Sequence, residues 1–155
     1  MSTTLILEEP GRFALTSREI AEPATGEVRV RIAYAGICGS DLHYFLHGGF
    51  GNVRMKQPMV LGHESCGTIE AVGAGVDPAR IGQWVAVNPS LPCGACEECL
   101  AGRARFCSDM RFMGSAMRNP PIEGAFRQHV ICTEAQAVPY TGPALAEAAL
   151  AEPLA

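Results

Sequence analysis

Val28-Arg29-Val30-Arg31-Ile32-Ala33-Tyr34 alternates apolar and charged residues. A period of two is the mark of a strand with one buried face. Pro23 to Glu27 before it is turn material. Met59-Val60-Leu61, Gly67 to Val72, Trp84 to Val87 and His129 to Thr133 read as further short strands, with Gly73-Ala74-Gly75 and Asp77-Pro78 as breakers. The chain has 17 Gly and 11 Pro in 155 residues, about 18% against a typical ~12%. Short strands joined by such turns predict a mainly β fold with short helices, a barrel or sandwich. Ser40 to Leu46 predicts one or two helical turns, capped near Ser40 or Asp41. A chain of this length predicts one domain with its own core.

Composition removes several classes of function. Hydrophobic residues are 48% and charged residues 18%, too apolar for a disordered tail. The net charge of −4 offers no basic surface for nucleic acid or anionic lipid. The start, Met1 to Glu9, has no basic region and only a three-residue apolar run, so it does not read as a signal peptide. No run approaches ~18 apolar residues, which predicts no membrane span. Asn88-Pro89-Ser90 is a sequon blocked by its proline. These features favour a cytoplasmic protein, where clustered cysteines serve as metal ligands more often than as disulfides.

Seven cysteines are present, and four form Cys93-x2-Cys96-x2-Cys99-x7-Cys107. Four soft ligands converging from a short loop suit tetrahedral zinc. Gly94 and Gly102 allow the tight turns. The rival is an iron–sulfur cluster, whose bacterial run is C-x2-C-x2-C-x3-C-P. The first spacings match, but the last gap is too long and Ser108 stands in place of the proline. Four cysteine ligands close the zinc sphere and make the site structural.

Two other stretches are Gly36-Ile37-Cys38-Gly39-Ser40-Asp41-Leu42-His43 and Gly62-His63-Glu64-Ser65-Cys66-Gly67. Each alone is weak: a His beside a Glu is usually a satisfied pair, and a lone Cys a small hydrophobe. Together they offer Cys, His and Glu, and three protein ligands with an open fourth position suit a catalytic zinc. A dinucleotide fingerprint is missing. Gly73-Ala74-Gly75-Val76-Asp77-Pro78 starts correctly but ends in Pro, and Gly49-Phe50-Gly51-Asn52-Val53-Arg54 also fails.

Gly62-His63-Glu64-x2-Gly67-x5-Gly73-x2-Val76 resembles the signature of the zinc-containing medium-chain alcohol dehydrogenases. Cys38-x-Ser40-x2-His43 resembles their first zinc ligand and proton-relay stretch, and the quartet resembles their structural-zinc lobe. The loops Trp84 to Ser90, Met110 to Arg118 and Gly124 to Arg127 resemble the polyol dehydrogenase branch. A departure is Gly82-Gln83-Trp84-Val85, where the family often has Gly-Asp-Arg-Val.

The resemblance implies a GroES-like β-barrel catalytic domain over residues 1–142, with a four-cysteine zinc lobe at about 90–110. The Ala-rich stretch Pro143 to Glu152 reads as helix. Within the resemblance, residues 143–155 begin a crossover helix toward a Rossmann coenzyme domain absent from this chain. It further implies two Zn2+ per chain, and NAD or NADP in the full-length enzyme. The implied reaction is oxidation of a secondary hydroxyl of a polyol or aldonate, L-idonate first, with sorbitol or xylitol as alternatives. A homodimer or homotetramer is implied for the full-length protein. A non-enzymatic zinc-binding module is the reading from a different class.

Residue roles follow the same resemblance. Cys38 and His63 are direct ligands of the catalytic zinc. Glu64 binds it directly or sits just behind the ligands. Glu152 supplies a further ligand or holds the zinc water. Asp41 hydrogen-bonds a ligand histidine, and Ser40 and His43 relay the proton. Tyr44, Phe112 and Arg118 are substrate-pocket candidates, with Arg118 the partner for an aldonate carboxylate. His47 and His129 have no matching role, and Cys66 and Cys132 are packing residues.

Overall fold

The computed structural model describes residues 1–154. In chain order its elements are β1 (Ser2–Glu9), β2 (Arg12–Arg18), β3 (Glu27–Ala35), α1 (Gly39–His47), β4 (Gly49–Phe50) and β5 (Val53–Arg54). There follow β6 (Ser65–Val72), β7 (Trp84–Val87), β8 (Ser90–Leu91), α2 (Glu97–Leu100), β9 (Arg111–Phe112), β10 (His129–Thr133) and β11 (Ala137–Pro139). Short 3-10 turns cover Pro78–Arg80, Ala104–Phe106, Glu134–Gln136 and Leu145–Leu150. No helix among the described residues is long and apolar enough to cross a membrane.

The main sheet is antiparallel throughout, in the order β10-β3-β6-β7-β11. It curls into a half-barrel, the mainly β, GroES-like architecture expected from the strand pattern and the resemblance. The alternation in β3 has its physical outcome: Val28 and Val30 are fully buried while Arg31 on the other face is exposed. Ile69, Val85, Val87, Val130 and Cys132 complete that core from the neighbouring strands. Two register shifts, which leave Glu70 of β6 and Ala33 of β3 as extra residues, bend the β3–β6 pair around the core. At Gly67, opposite Ile32, an added Cβ would run into the carbonyl of Arg31, so only glycine lets β3 and β6 approach there.

Four local expectations change. Met59 to Leu61 is not a ladder strand: Met59 makes a single bridge to Leu7, and Met59, Val60 and Leu61 are all fully buried. Three consecutive buried side chains suit a segment packed on both sides. The hairpin β1–β2 was not anticipated, and Leu7, Met59, Leu61 and Tyr44 form a second core beneath it. The cap of α1 lies at Cys38 instead of Ser40 or Asp41. The Ala-rich stretch forms only a 3-10 turn, Leu145–Leu150. Ala148 and Ala149 pack with Leu145 against Cys66 and Ala86, and the Cys66 thiol donates to the Leu145 carbonyl at 3.1 Å. In a 3-10 turn residues three apart eclipse, which stacks Leu145 and Ala148 on one line facing the sheet. Packing against β6 thereby overrides the α-propensity of alanine.

Candidate metal centres

The quartet closes on itself. One ligand atom from each of Cys93, Cys96, Cys99 and Cys107 lies within 4.8 Å of all the others. Cys93 Sγ and Cys99 Sγ are 4.0 Å apart, and Cys96 Sγ and Cys107 Sγ 3.9 Å. A tetrahedron with Zn–S bonds of ~2.3 Å has sulfur–sulfur edges of about 3.8 Å, whereas a disulfide needs ~2.05 Å. The sulfurs are therefore spaced for an ion and not for oxidation. Backbone N–H groups already point at them: Cys96 donates to Cys93 Sγ at 3.3 Å, and Cys93 and Asp109 donate to Cys107 Sγ at 3.2 and 3.3 Å. Such donors stabilise thiolate. They hold the Cys96 thiol down at about 6, through the N–H groups of Cys99 and Ser108. Cys99, by contrast, is pushed up to about 12 by desolvation and the neighbouring thiols. Four thiolates at neutral pH thus require a cation among them.

The second group is Cys38, His63 and Glu64, whose ligand atoms also lie within 4.8 Å of one another. Cys38 sits at the N-cap of α1, and His63 and Glu64 lead into β6. His63 and Glu64 are buried and Cys38 half-buried. Asp41 ties the two segments together, accepting from Cys38 N–H at 2.9 Å and from Gly62 N–H at 3.1 Å. Its burial raises its own pKa, opposed by the Cys38 N–H and by His63, while nearby Glu64 raises it further. His63 Nδ1 stands 4.0 Å from Asp41 Oδ1 and has no hydrogen-bond partner. A buried, unpaired imidazole nitrogen beside a thiol and a carboxylate is a costly arrangement without a cation. The mixed S, N, O donor set with one position open is the chemistry of a catalytic zinc.

Gly36 makes room for this carboxylate. It donates to the Glu64 carbonyl at 2.7 Å, and a Cβ there would occupy the place of the Glu64 side-chain oxygen. Sequence reasoning gave Gly36 no role, although it heads the stretch that carries Cys38. Gly36→Ala is expected to displace Glu64 and weaken metal at this site by about 10–100-fold, with the quartet unaffected. Competition titration with a chromophoric chelator measures both affinities, and an unchanged value at the Cys38, His63, Glu64 site would reject the role.

Beside His63 opens a cleft of about 220 Å³, lined by Ser40, Tyr44, Phe50, Phe112, Ser115 and Met117 among others. Ser40, Tyr44 and Phe112 therefore come together as the sequence suggested, with the Phe112 ring edge-on to His63 at 5.4 Å. The Tyr44 hydroxyl accepts from Ala116 N–H at 2.9 Å, which fixes the far wall. Phe50, Ser115 and Met117 were not anticipated, because nothing in their local pattern marks them. His43 is exposed on α1, with ring centroids 6.1 Å from His47 and 6.2 Å from Phe50. Two candidates lie elsewhere. Arg118 pairs with Asp109 at 2.6 Å and lines a different cleft with Arg54 and Lys56. Glu152 lines a groove of about 540 Å³ with Asn88, Ser90 and Arg105, outside the Cys38, His63, Glu64 group. Of the remaining cysteines, Cys66 and Cys132 are buried in packed clusters.

A curled antiparallel sheet carrying a four-cysteine loop and a Cys, His, Glu cage defines a known class of domain. The family described as alcohol dehydrogenase GroES-like domain matches residues 24–142, and the chain belongs to it. L-idonate 5-dehydrogenase (NAD(P)(+)) of Escherichia coli is 46% identical over 129 residues, 81% of this chain and 36% of that protein. Sorbitol dehydrogenase of Bacillus subtilis is 45% identical over 104 residues, 67% of this chain and 28% of that protein. The crystal structure of L-idonate 5-dehydrogenase from Escherichia coli superposes with a TM-score of 0.90 at 40% identity, over 99% of this chain and 44% of that one. The chain thus spans less than half the length of these relatives.

Proposed function

We propose that this chain is the catalytic domain of a zinc-dependent, NAD(P)-linked dehydrogenase that oxidises a secondary hydroxyl of a polyol or aldonate, with L-idonate the first candidate and sorbitol or xylitol next. The observation that carries the reading is the cage of Cys38, His63 and Glu64 opening onto the Ser40–Phe112 cleft. The likeness to an idonate and a sorbitol dehydrogenase supports the substrate class. Cys38, His63 and Glu64 hold one zinc, and the quartet holds another.

Zinc held by Cys38, His63 and Glu64 would supply the Lewis acidity that lowers the pKa of a substrate hydroxyl, and a nicotinamide cofactor would supply the hydride acceptor. The chain's own residues do the rest. Phe50, Phe112 and Met117 give the cleft apolar walls that limit water. The Ser40 hydroxyl, facing the cleft, takes the proton of the substrate hydroxyl. His43, three residues along α1 on the same face, passes it to solvent. Asp41 holds the Cys38 and Gly62 backbones in register, so that thiol and imidazole converge. Arg118 is engaged by Asp109 and lines a neighbouring cleft that shares Met117 with this one. The coenzyme site is assigned outside residues 1–154, because every sheet pairing among them is antiparallel and the dinucleotide fold needs parallel βαβ units.

Two measurements test this. Metal analysis of the purified chain is expected to give two zinc ions. The 155 residues alone are expected to give no turnover, whereas a longer chain with a nicotinamide domain reduces NAD(P)+ faster with L-idonate or sorbitol than with ethanol. One zinc or none rejects the two-site assignment. Full-rate oxidation by the 155 residues, or a preference for ethanol, rejects the reaction proposed.

A further inference from the structure

The hairpin β1–β2 closes over β3 and β10 around a second, separate cavity of about 70 Å³, which shares no residue with the cleft beside His63. Its lining is unusual in charge: Arg18, Arg29 and Arg127 face it with His129 and Ser2, and Glu19 is the lone carboxylate among its walls. Arg18 is held by Glu123 at 3.3 Å, and Arg29 by Glu22 at 2.9 Å. Arg127 has no such partner. Among the described residues no carboxylate oxygen lies within 4.0 Å of it, and its buried Nε has no hydrogen-bond acceptor. The Nε of Arg29 is likewise buried and unpaired.

An Nε donor withdrawn from water without an acceptor is an uncompensated cost, although the Arg127 side chain as a whole is half-buried. Its planar fork is suited to oxyanions, which accept two parallel N–H bonds from it. Burial pushes the Arg127 pKa down; Glu123 opposes this and Arg18 adds to it. A guanidinium nonetheless stays protonated at neutral pH, so its charge and its free Nε donor suit an anion. The size decides which kind. Metabolite pockets run ~300–1,000 Å³, so this cavity has room for an ion and not for a sugar or nucleotide. Ser2 Oγ lies 3.1 Å from His129 Nδ1, and Glu70 holds His129 Nε2 at 3.1 Å. That chain engages the Ser2 hydroxyl within the cavity wall.

We propose that this cavity is a binding site for one small oxyanion of the phosphate or sulfate class, held by Arg127 and Arg29 and tying the N-terminal hairpin to the half-barrel. The site is independent of the dehydrogenase reading and would stand without it.

Thermal unfolding of the zinc-loaded chain in inorganic phosphate, sulfate, acetate or chloride, at matched ionic strength, tests it. Phosphate and sulfate are expected to raise the melting temperature over chloride in a saturable way, and acetate less. Arg127→Met should abolish the rise and, in chloride, melt above the wild type, because it removes a half-buried guanidinium whose Nε has no acceptor. Phosphate should then reverse that order. Cys38→Ser, which disables the cage, should keep the phosphate response. Should Arg127→Met fail to fold, Arg29→Gln must reduce the broadening of the 31P resonance of phosphate that the wild type causes. No rise beyond chloride, an equal rise in Arg127→Met, or loss of the rise in Cys38→Ser would each overturn the proposal.

Discussion

Cys96→Ala is expected to lower the zinc content from two ions per chain to one and to unfold residues 93–107 while the half-barrel persists. The lobe has little else to hold it. Its helix α2 has four residues, far below the ~12–15 at which isolated helices become even marginal. Its large apolar side chains face water, with Leu100 77% and Phe106 59% exposed. The Arg103–Glu98 pair is half-exposed, and such pairs are worth ~0–1 kcal/mol. A structural zinc contributes ~10–16 kcal/mol of apparent binding energy, so it dominates every other term in the loop. Trypsin reads the result directly. Arg103 and Arg105 should resist cleavage in the wild type and be cut within minutes in the variant. A variant that keeps two zinc ions, or keeps the resistance, refutes the assignment. Acid should act in the same direction. The quartet is expected to release metal as pH falls, because protons compete with the ion for its thiolates.

Cys38→Ala is expected to do the opposite: an intact fold with an empty cage. The side chain is half-buried and its backbone N–H, which anchors Asp41, survives the substitution. Far-UV circular dichroism and trypsin resistance of the lobe should match the wild type, and one zinc should remain. In a chain that carries the nicotinamide domain, oxidation should fall by at least ~10³-fold. That figure follows from several kcal/mol of Lewis-acid stabilisation at 1.36 kcal/mol per tenfold. Unfolding by Cys38→Ala together with mild effects of Cys96→Ala would mean that the two centres have exchanged roles.

The parts of this molecule that were legible in advance are those where one constraint dominates. The alternation in Val28–Tyr34 survives because β3 has one face on the core. The four cysteines are legible because ligand spacing leaves few geometries. The cage was half legible: Cys38, His63 and Glu64 could be named, but their convergence depends on Asp41 bonding Gly62, 21 residues away. The hairpin β1–β2 escaped notice because much of β2 is exposed or half-buried, so its strand pattern is faint. The Ala-rich end misled because propensity is a weak prior beside the flat surface offered by Cys66 and Ala86. Arg118 could be named, but its pairing with Asp109 has no mark in the local pattern.

The two hydrogen bonds of Asp41 also bear on how the cage trades its ion. They fasten the Cys38 and Gly62 backbones to each other whether or not anything sits between the ligands. The entropy of bringing those segments together is therefore spent when the chain folds, not when the ion arrives. A cage prepared in this way is expected to take up an ion without refolding around it. The quartet's loop is fastened at its base, where β8 pairs with β9, but its four thiols would still need a cation to stay together as thiolates.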